Sequence, residues 1–217
     1  MYDENRWSSD SNVYPLAQSL NLSLTMIVRN LKVLDNLGYV RLAGSGSYMP
    51  TEFGTEAVQD YRMRTKLVNE LDLIGSLNPQ SRGREFQKLF AKVVGLYGWS
   101  CEESLRTPHE EIDVIVHKNR EYYLVECKWV KKHIESAVVR ELYGKIENRL
   151  SVRGILVSMS GFTSGAIKQV QDYTNARLIY LFGPGNFSTM LKGDMSFDQL
   201  LEEKHHQLVT RKVASFR

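Results

Sequence analysis

Asp113, Glu126 and Lys128 are the residues whose types and spacing could do chemistry. They lie in residues 112–129, a stretch that reads as two strands and a turn. Ile112, Val114, Ile115 and Val116 form an apolar, β-branched run interrupted by one acid, Asp113. The polar residues His117 to Glu121 supply a turn, and Tyr122 to Val125 start a second apolar run that meets Glu126, Cys127 and Lys128. Side chains alternate along a strand, so Glu126 and Lys128 share a face while Cys127 points the other way. A hairpin would bring Asp113 beside them, placing two carboxylates and an ammonium at the end of a largely buried sheet. Burying charges without partners is costly, so such a cluster needs a reason. Two carboxylates are hard ligands that suit Mg²⁺ or Mn²⁺, which keep several waters. The cation would polarise a phosphoryl oxygen, and the lysine would orient water or offset charge developing on phosphate. That is the chemistry of phosphodiester hydrolysis. The same residues also allow a plain strand-edge ion pair, Glu126 or Asp113 with Lys128.

The elements around the cluster must position it. A helix over 82–97 carries the apolar face Phe86, Leu89, Phe90, Val93, Val94 and Leu96, and one acid, Glu85. A strand from Ser100 to Leu105 and a polar loop from Arg106 to His109 lead into the hairpin. Glu111 is two residues from Asp113, a weaker alternative ligand on the same strand face. After the hairpin the spacing predicts a helix over 134–147, a buried strand over 154–159, a helix from Ser164 to Thr174 and a strand over 176–182. Gly183 to Asn186 lacks the Lys-Ser/Thr of a phosphate-binding loop and reads as a turn. Residues 187–217 read as helical, with Phe197, Leu200, Leu201 and Leu208 as apolar positions. His205 and His206 are adjacent, so one helix face cannot present both to a metal.

The order Glu85, Asp113, Glu126-Cys127-Lys128, then Val139 to Gly144 and Gly154 to Ala166, resembles the PD-(D/E)xK nuclease superfamily, and within it the Mrr-like restriction endonuclease branch. The resemblance runs from about Arg82 to Gly185. It implies an α/β, restriction-endonuclease-like mixed-sheet core and a Mg²⁺-dependent DNA endonuclease. Asp113 and Glu126 would hold the metal with Cys127, Lys128 would serve the attacking water, and Glu85 would complete the outer shell or simply pair with Arg82 or Lys88. Two features depart from the family pattern. Glu110, Glu111 and Ile112 precede Asp113 where a Pro or Gly is usual, with Pro108 further back. Glu126 also stands where many Mrr-like proteins carry Gln.

Residues 14–54 give a second pattern. Pro15 to Leu20 is a short helix and Asn21-Leu22 a turn. Ser23 caps a longer helix with Met26, Val28, Leu31, Leu34 and Leu37 as apolar positions, ended by Gly38. Two short strands, Tyr39 to Leu42 and Ser47 to Pro50, flank a tight turn at 44–46. This order resembles a winged helix-turn-helix and implies an N-terminal winged-helix domain. Its candidate base contacts are Ser23, Thr25, Arg29 and Asn30, with Lys32 and Arg41 for phosphates. The alternative is a protein-interaction or dimerisation module. Residues 52–76 read as a connecting helix with Ala57, Tyr61, Leu67, Leu71 and Ile74 at helical spacing. Arg62, Arg64 and Lys66 read as its solvated face. Residues 78–81 serve as the linker. The expected domains are 1–76, 77–190 and a helical extension at 191–217.

Composition narrows the class. A hydrophobic fraction of 42% and charged fraction of 24% suit a soluble globular protein, and no apolar run is long enough to span a membrane. The polar residues 1–12 lack a signal-peptide core. Cys101 and Cys127 offer neither a disulfide framework nor a zinc spacing, so a reducing cytoplasm is expected. Net charge is +3, but residues 128–153 alone carry seven basic against three acidic residues. Lys128, Lys131, Lys132, Arg140, Lys145, Arg149 and Arg153 would form a basic strip beside the site, with Lys131 and Lys132 gripping phosphates. DNA is thus the expected partner, and two-strand cutting suggests a homodimer. A non-catalytic DNA-binding protein on the same scaffold, or a defence effector gated by a protein partner, are the competing readings. No helicase or NTPase motif is present, nor a stacking-aromatic RNA-binding motif.

Overall fold

The structure, a computed structural model, describes residues 13–43, 47–106 and 111–214. The expected tight turn at 44–46, the loop residues 107–110 with Pro108, the N-terminal residues 1–12 and the basic Arg217 lie outside them. The chain divides into two compact units, 1–63 and 64–217.

In the smaller unit, α1 (Val13–Leu20) and α2 (Leu24–Asn36) are followed by an antiparallel pair, β1 (Val40–Ala43) and β2 (Ser47–Pro50), and by the start of α3 (Glu52–Gly75). The turn residue Asn21 has a positive φ of 52°. Ser23 is the N-cap of α2, its hydroxyl accepting the Met26 N–H at 3.3 Å. The small core contains Ala17, Ile27, Leu31, Val40 and Tyr48. The apolar stripe of α2 is therefore narrower than its sequence suggests. Leu31 is buried and Val28 half-buried, but Met26, Leu34 and Leu37 are exposed; Met26 and Leu37 point about a quarter turn or more around the helix from Ile27 and Leu31. Gly54 is buried where α3 meets β1's entry. A Cβ there would come within 1.9 Å of the Tyr39 carbonyl oxygen, so only glycine fits.

The larger unit begins inside α3, because Leu67 and Ile74 of that helix are buried in its core. The packing boundary thus falls within the connecting helix and not after residue 76. Tyr61 is exposed, contrary to its place in the expected stripe. Arg64 is no solvated base either. It donates to the Tyr97 hydroxyl at 3.0 Å and the Met190 carbonyl at 3.3 Å. Residues 78–81 are not a linker. Asn78 caps α4 (Pro79–Gly95) through the Ser81 N–H, and Pro79 sits in its first turn, where a missing N–H costs nothing.

Five strands follow: β3 (Ser100–Arg106), β4 (Glu111–Lys118), β5 (Glu121–Lys128), β6 (Val152–Ser158) and β7 (Ile179–Phe182), in that spatial order. The β3–β4 and β4–β5 pairs are antiparallel, and β5–β6 and β6–β7 are parallel. The β4–β5 turn is only Asn119 and Arg120, both at positive φ, the geometry whose twist matches a hairpin. Parallel neighbours require crossovers. These are α5 (Ser136–Glu147) between β5 and β6, and α6 (Ser164–Tyr173) between β6 and β7. The turn expected at Gly183 to Asn186 is instead the start of α7 (Pro184–Lys192), where Asn186 Oδ1 accepts the Gly183 N–H. Helix α8 (Phe197–Arg211) completes the chain, and its Phe197, Leu200, Leu201 and Leu208 lie in the same core as the sheet. The expected C-terminal extension is therefore part of this unit's core.

Helices cover both faces of the sheet, so its strands are buried on both sides. On the Tyr123 face, Trp99 packs edge-on against Tyr123 and against Phe197 of α8, which meets Phe90 of α4. On the other face, Gly154 lets α5 lie close, since a Cβ would approach Leu142 Cδ2 to 3.2 Å. In register, Leu124 faces Gly154 and Glu126 faces Leu156, so Glu126 shares the face that α5 covers.

Candidate active site

The β4–β5 register runs from Lys118↔Glu121 to Val114↔Val125. Just beyond that pair, the Cys127 N–H donates to Asp113 Oδ2 at 2.8 Å. A residue's N–H and C=O point to the same side of a strand. The Cys127 carbonyl therefore points towards Asp113, while the Lys128 carbonyl accepts from Met159 on the β6 side. The Cys127 side chain is buried on the opposite face, as expected.

Asp113 and Glu126 are both buried, at 8% and 5% exposure. They line one cavity of about 660 Å³ with Glu111, Lys128, Glu141, Gly144 and Lys145. Glu126 is held by two ammoniums: Lys128 Nζ lies 2.5 Å from Oε1 and Lys145 Nζ 2.9 Å from Oε2. Burial, and after it the Glu126 charge, push the Asp113 carboxyl up to about 6, against the opposing pull of the Cys127 N–H and the lysines. Burial pulls Lys128 and Lys145 down, but the Glu126 carboxylate outweighs it and both end above the usual lysine value. Lys128 is thus a cation paired with Glu126 in this cavity. The strand-edge ion pair allowed by the sequence is present, within a larger cluster.

Two buried carboxylates on one face, with a carbonyl aimed at the same side, are the oxygen donors a hard divalent cation takes while keeping waters. Among the described residues no three His, Cys, Asp or Glu side chains form a ready-made metal cluster. The remaining positions around a cation would fall to water and phosphate oxygens.

Other expected residues lie elsewhere. Glu85 on α4 pairs with Lys88 at 2.8 Å and does not line the cavity, since α4 packs on the other face of the sheet. Glu111 does line it. Lys131 and Lys132 are exposed in the segment after β5, whose Lys132 carbonyl accepts from Ser160 Oγ at 2.7 Å. The basic strip is divided: Arg153 donates to the Tyr123 hydroxyl at 2.9 Å and pairs with Glu121, on the face away from Glu126. In the smaller unit, Ser23, Thr25, Arg29, Asn30, Lys32 and Arg41 are all exposed.

Lys145 and Glu141 were missed as site residues, although Glu141 lies in the segment that carried the resemblance. Their signal is the face of α5: Glu141, Gly144 and Lys145 fall together, opposite the buried Val139, Leu142 and Ile146.

Comparison with known proteins adds the family. The chain matches no curated protein significantly. Among solved structures it is similar to a protein of unknown function, AF1548, at 16% identity and TM-score 0.43, covering 58% of this chain and 76% of that one. It is also similar to MspJI restriction endonuclease in complex with a 27-mer oligonucleotide, at 14% identity and TM-score 0.39, covering 82% of this chain and 42% of that one. A third is a restriction endonuclease PspGI–substrate DNA complex, at 16% identity and TM-score 0.38, covering 90% and 84%. Residues 79–181, from α4 to β7, match the family model described as restriction endonuclease. That match covers the mixed sheet and its flanking helices, and gives this part of the chain a restriction-endonuclease-like PD-(D/E)xK fold.

Proposed function

We propose that the chain is a divalent-metal-dependent DNA endonuclease with Asp113, Glu126 and Lys128 at its centre. The observation that carries this reading is the convergence of those three residues in one cavity, on the domain that matches the restriction endonuclease family. Asp113, Glu126 and the Cys127 carbonyl would hold Mg²⁺ or Mn²⁺. The bound cation supplies Lewis acidity towards a phosphoryl oxygen and towards water. The Cys127 N–H fixes the Asp113 carboxylate, so its orientation is set before substrate arrives. Lys128 keeps a positive charge at the cavity, where it orients water or offsets charge on the phosphate. Lys131 and Lys132, exposed after β5, supply phosphate contacts.

The smaller unit serves as a winged-helix DNA-binding module, with α2 as the helix presented to the groove. Its exposed Arg29, Asn30, Lys32 and Arg41 support this reading. A protein-contact role for the unit is favoured by one observation: Met26, Val33 and Leu37 lie on the same stripe of α2 as Arg29 and Asn30, at 49%, 50% and 59% exposure. Neutralising Arg29, Lys32 and Arg41 together separates these roles. Weaker DNA binding with a shallower salt dependence supports DNA contact, and unchanged binding assigns the unit to a protein.

The test of the nuclease is cleavage of plasmid, linear duplex, single-stranded DNA and RNA with Mg²⁺ or Mn²⁺, wild type beside Asp113→Ala. Metal-dependent cutting of DNA that disappears in the variant supports the proposal. Cutting that survives in Asp113→Ala at the wild-type rate refutes this site.

A further inference from the structure

Lys145 holds an unusual place for a helix lysine. Its Nζ lies 2.9 Å from Glu126 Oε2, 2.9 Å from the Glu111 carbonyl oxygen and 3.6 Å from Glu141 Oε1. Glu126 on β5 and Glu111 on β4 accept hydrogen bonds from it, and Glu141 on α5 itself lies within ion-pair range. Its side chain is only 13% exposed, against 31% for Lys128, so it is fixed inside the cavity. With Lys128 on Oε1, an ammonium stands on each oxygen of Glu126. A divalent cation that takes this carboxylate must share an oxygen with an ammonium or displace it.

Charge favours that exchange. A doubly charged ion and the Lys145 ammonium, both held on the buried Glu126 carboxylate, would be like charges in close contact and repel one another. Lys145 has somewhere to go, because Glu141 is one turn earlier on the same helix and already within ion-pair range.

We propose that Lys145 is a built-in cation that occupies the metal-ligating carboxylate Glu126 in the metal-free protein and moves towards Glu141 when a divalent ion loads. It therefore sets how tightly the site takes its metal. This rests on the reading of Asp113 and Glu126 as metal ligands.

The test is calorimetric titration of the full chain with Mn²⁺, without DNA, for wild type, Lys145→Met, Lys145→Gln and Asp113→Asn. Removing a charged hydrogen bond of this kind corresponds to about tenfold or more in affinity. Both Lys145 variants should bind Mn²⁺ more tightly by about that factor. The gain should persist in 1 M KCl, where charges acting through solvent are screened beyond a few ångströms. Unchanged or weaker binding in the folded Lys145 variants overturns the proposal, as does a gain that vanishes in high salt. The Gln variant keeps the test open if Met at this position fails to fold. Asp113→Asn separates the two readings: it should abolish Mn²⁺ binding, and unaltered binding there removes the metal site itself.

Discussion

Replacing Asp113 by Asn tests the electrostatics of the site without any substrate. The buried Asp113 carboxyl is raised from its ordinary 3.8 to about 6, first by burial and then by the Glu126 charge. A raised acid favours the protonated form in the folded state, so the folded protein binds more protons than the unfolded one between those values. Stability is therefore fully present below about pH 4 and is lost as pH rises through about 6. A shift of about two units corresponds to about 3 kcal/mol. Asn keeps an oxygen for the Cys127 N–H but carries no charge. In metal-free buffer containing EDTA, Asp113→Asn should then be more stable than wild type at pH 8 by up to about 3 kcal/mol. For a unit of this size that is a rise of about 6–12 °C in Tm. The advantage should shrink through the window and vanish near pH 4. Added Mg²⁺ should stabilise wild type and not the variant. Urea unfolding followed by tryptophan fluorescence at a series of pH values measures this directly, since Trp99 and Trp129 both lie in the larger unit. A stability difference that does not change with pH, or a less stable variant at pH 8, would refute the argument that Asp113 is held ionised at a cost.

The remaining expectations concern Lys128, proposed as catalytic, and two structural residues. Lys128→Met should lower DNA cleavage at least about 100-fold, the scale of one lost charge-stabilising group, while DNA affinity by filter binding stays within a few-fold. Cleavage at the wild-type rate would remove Lys128 from the mechanism. Arg64→Ala should cost about 1–3 kcal/mol in urea unfolding, because it strips a part-buried cation from the Tyr97 hydroxyl and the Met190 carbonyl in the last turn of α7. A neutral result would return Arg64 to the solvated face. Gly54→Ala should cost more than about 3 kcal/mol in the smaller unit, since backbone must move to relieve its clash with Tyr39. Near-native proteolytic resistance of residues 13–63 would contradict this.

The legible part of the site is the local part. Asp113, Glu126 and Lys128 sit on adjacent strands joined by a two-residue turn, so alternation and hairpin pairing were enough to bring them together. The order of the second half was equally readable, because each buried run of β5, β6 and β7 is separated by one helical period. Residues whose role depends on distant packing were read differently. Glu85 has the right charge, but α4 packs on the other face of the sheet and leaves it with Lys88. Arg153 belongs to a basic run in sequence, yet strand alternation sends it to Tyr123 and Glu121. Arg64 looks solvated on its helix, and only the fold brings Met190 to it from the far end of the chain.

By itself, then, the sequence determined the elements, the hairpin and its charged triplet, because side-chain period and turn chemistry act over a few residues. Tertiary structure alone decided what surrounds that triplet. The close approach of Leu142 to Gly154 seats α5 over β5 and β6, and this carries Lys145 onto Glu126 and leaves an open cleft beside Gly144. Contacts between residues so far apart in the chain depend on which faces bury together, and no local pattern specifies that.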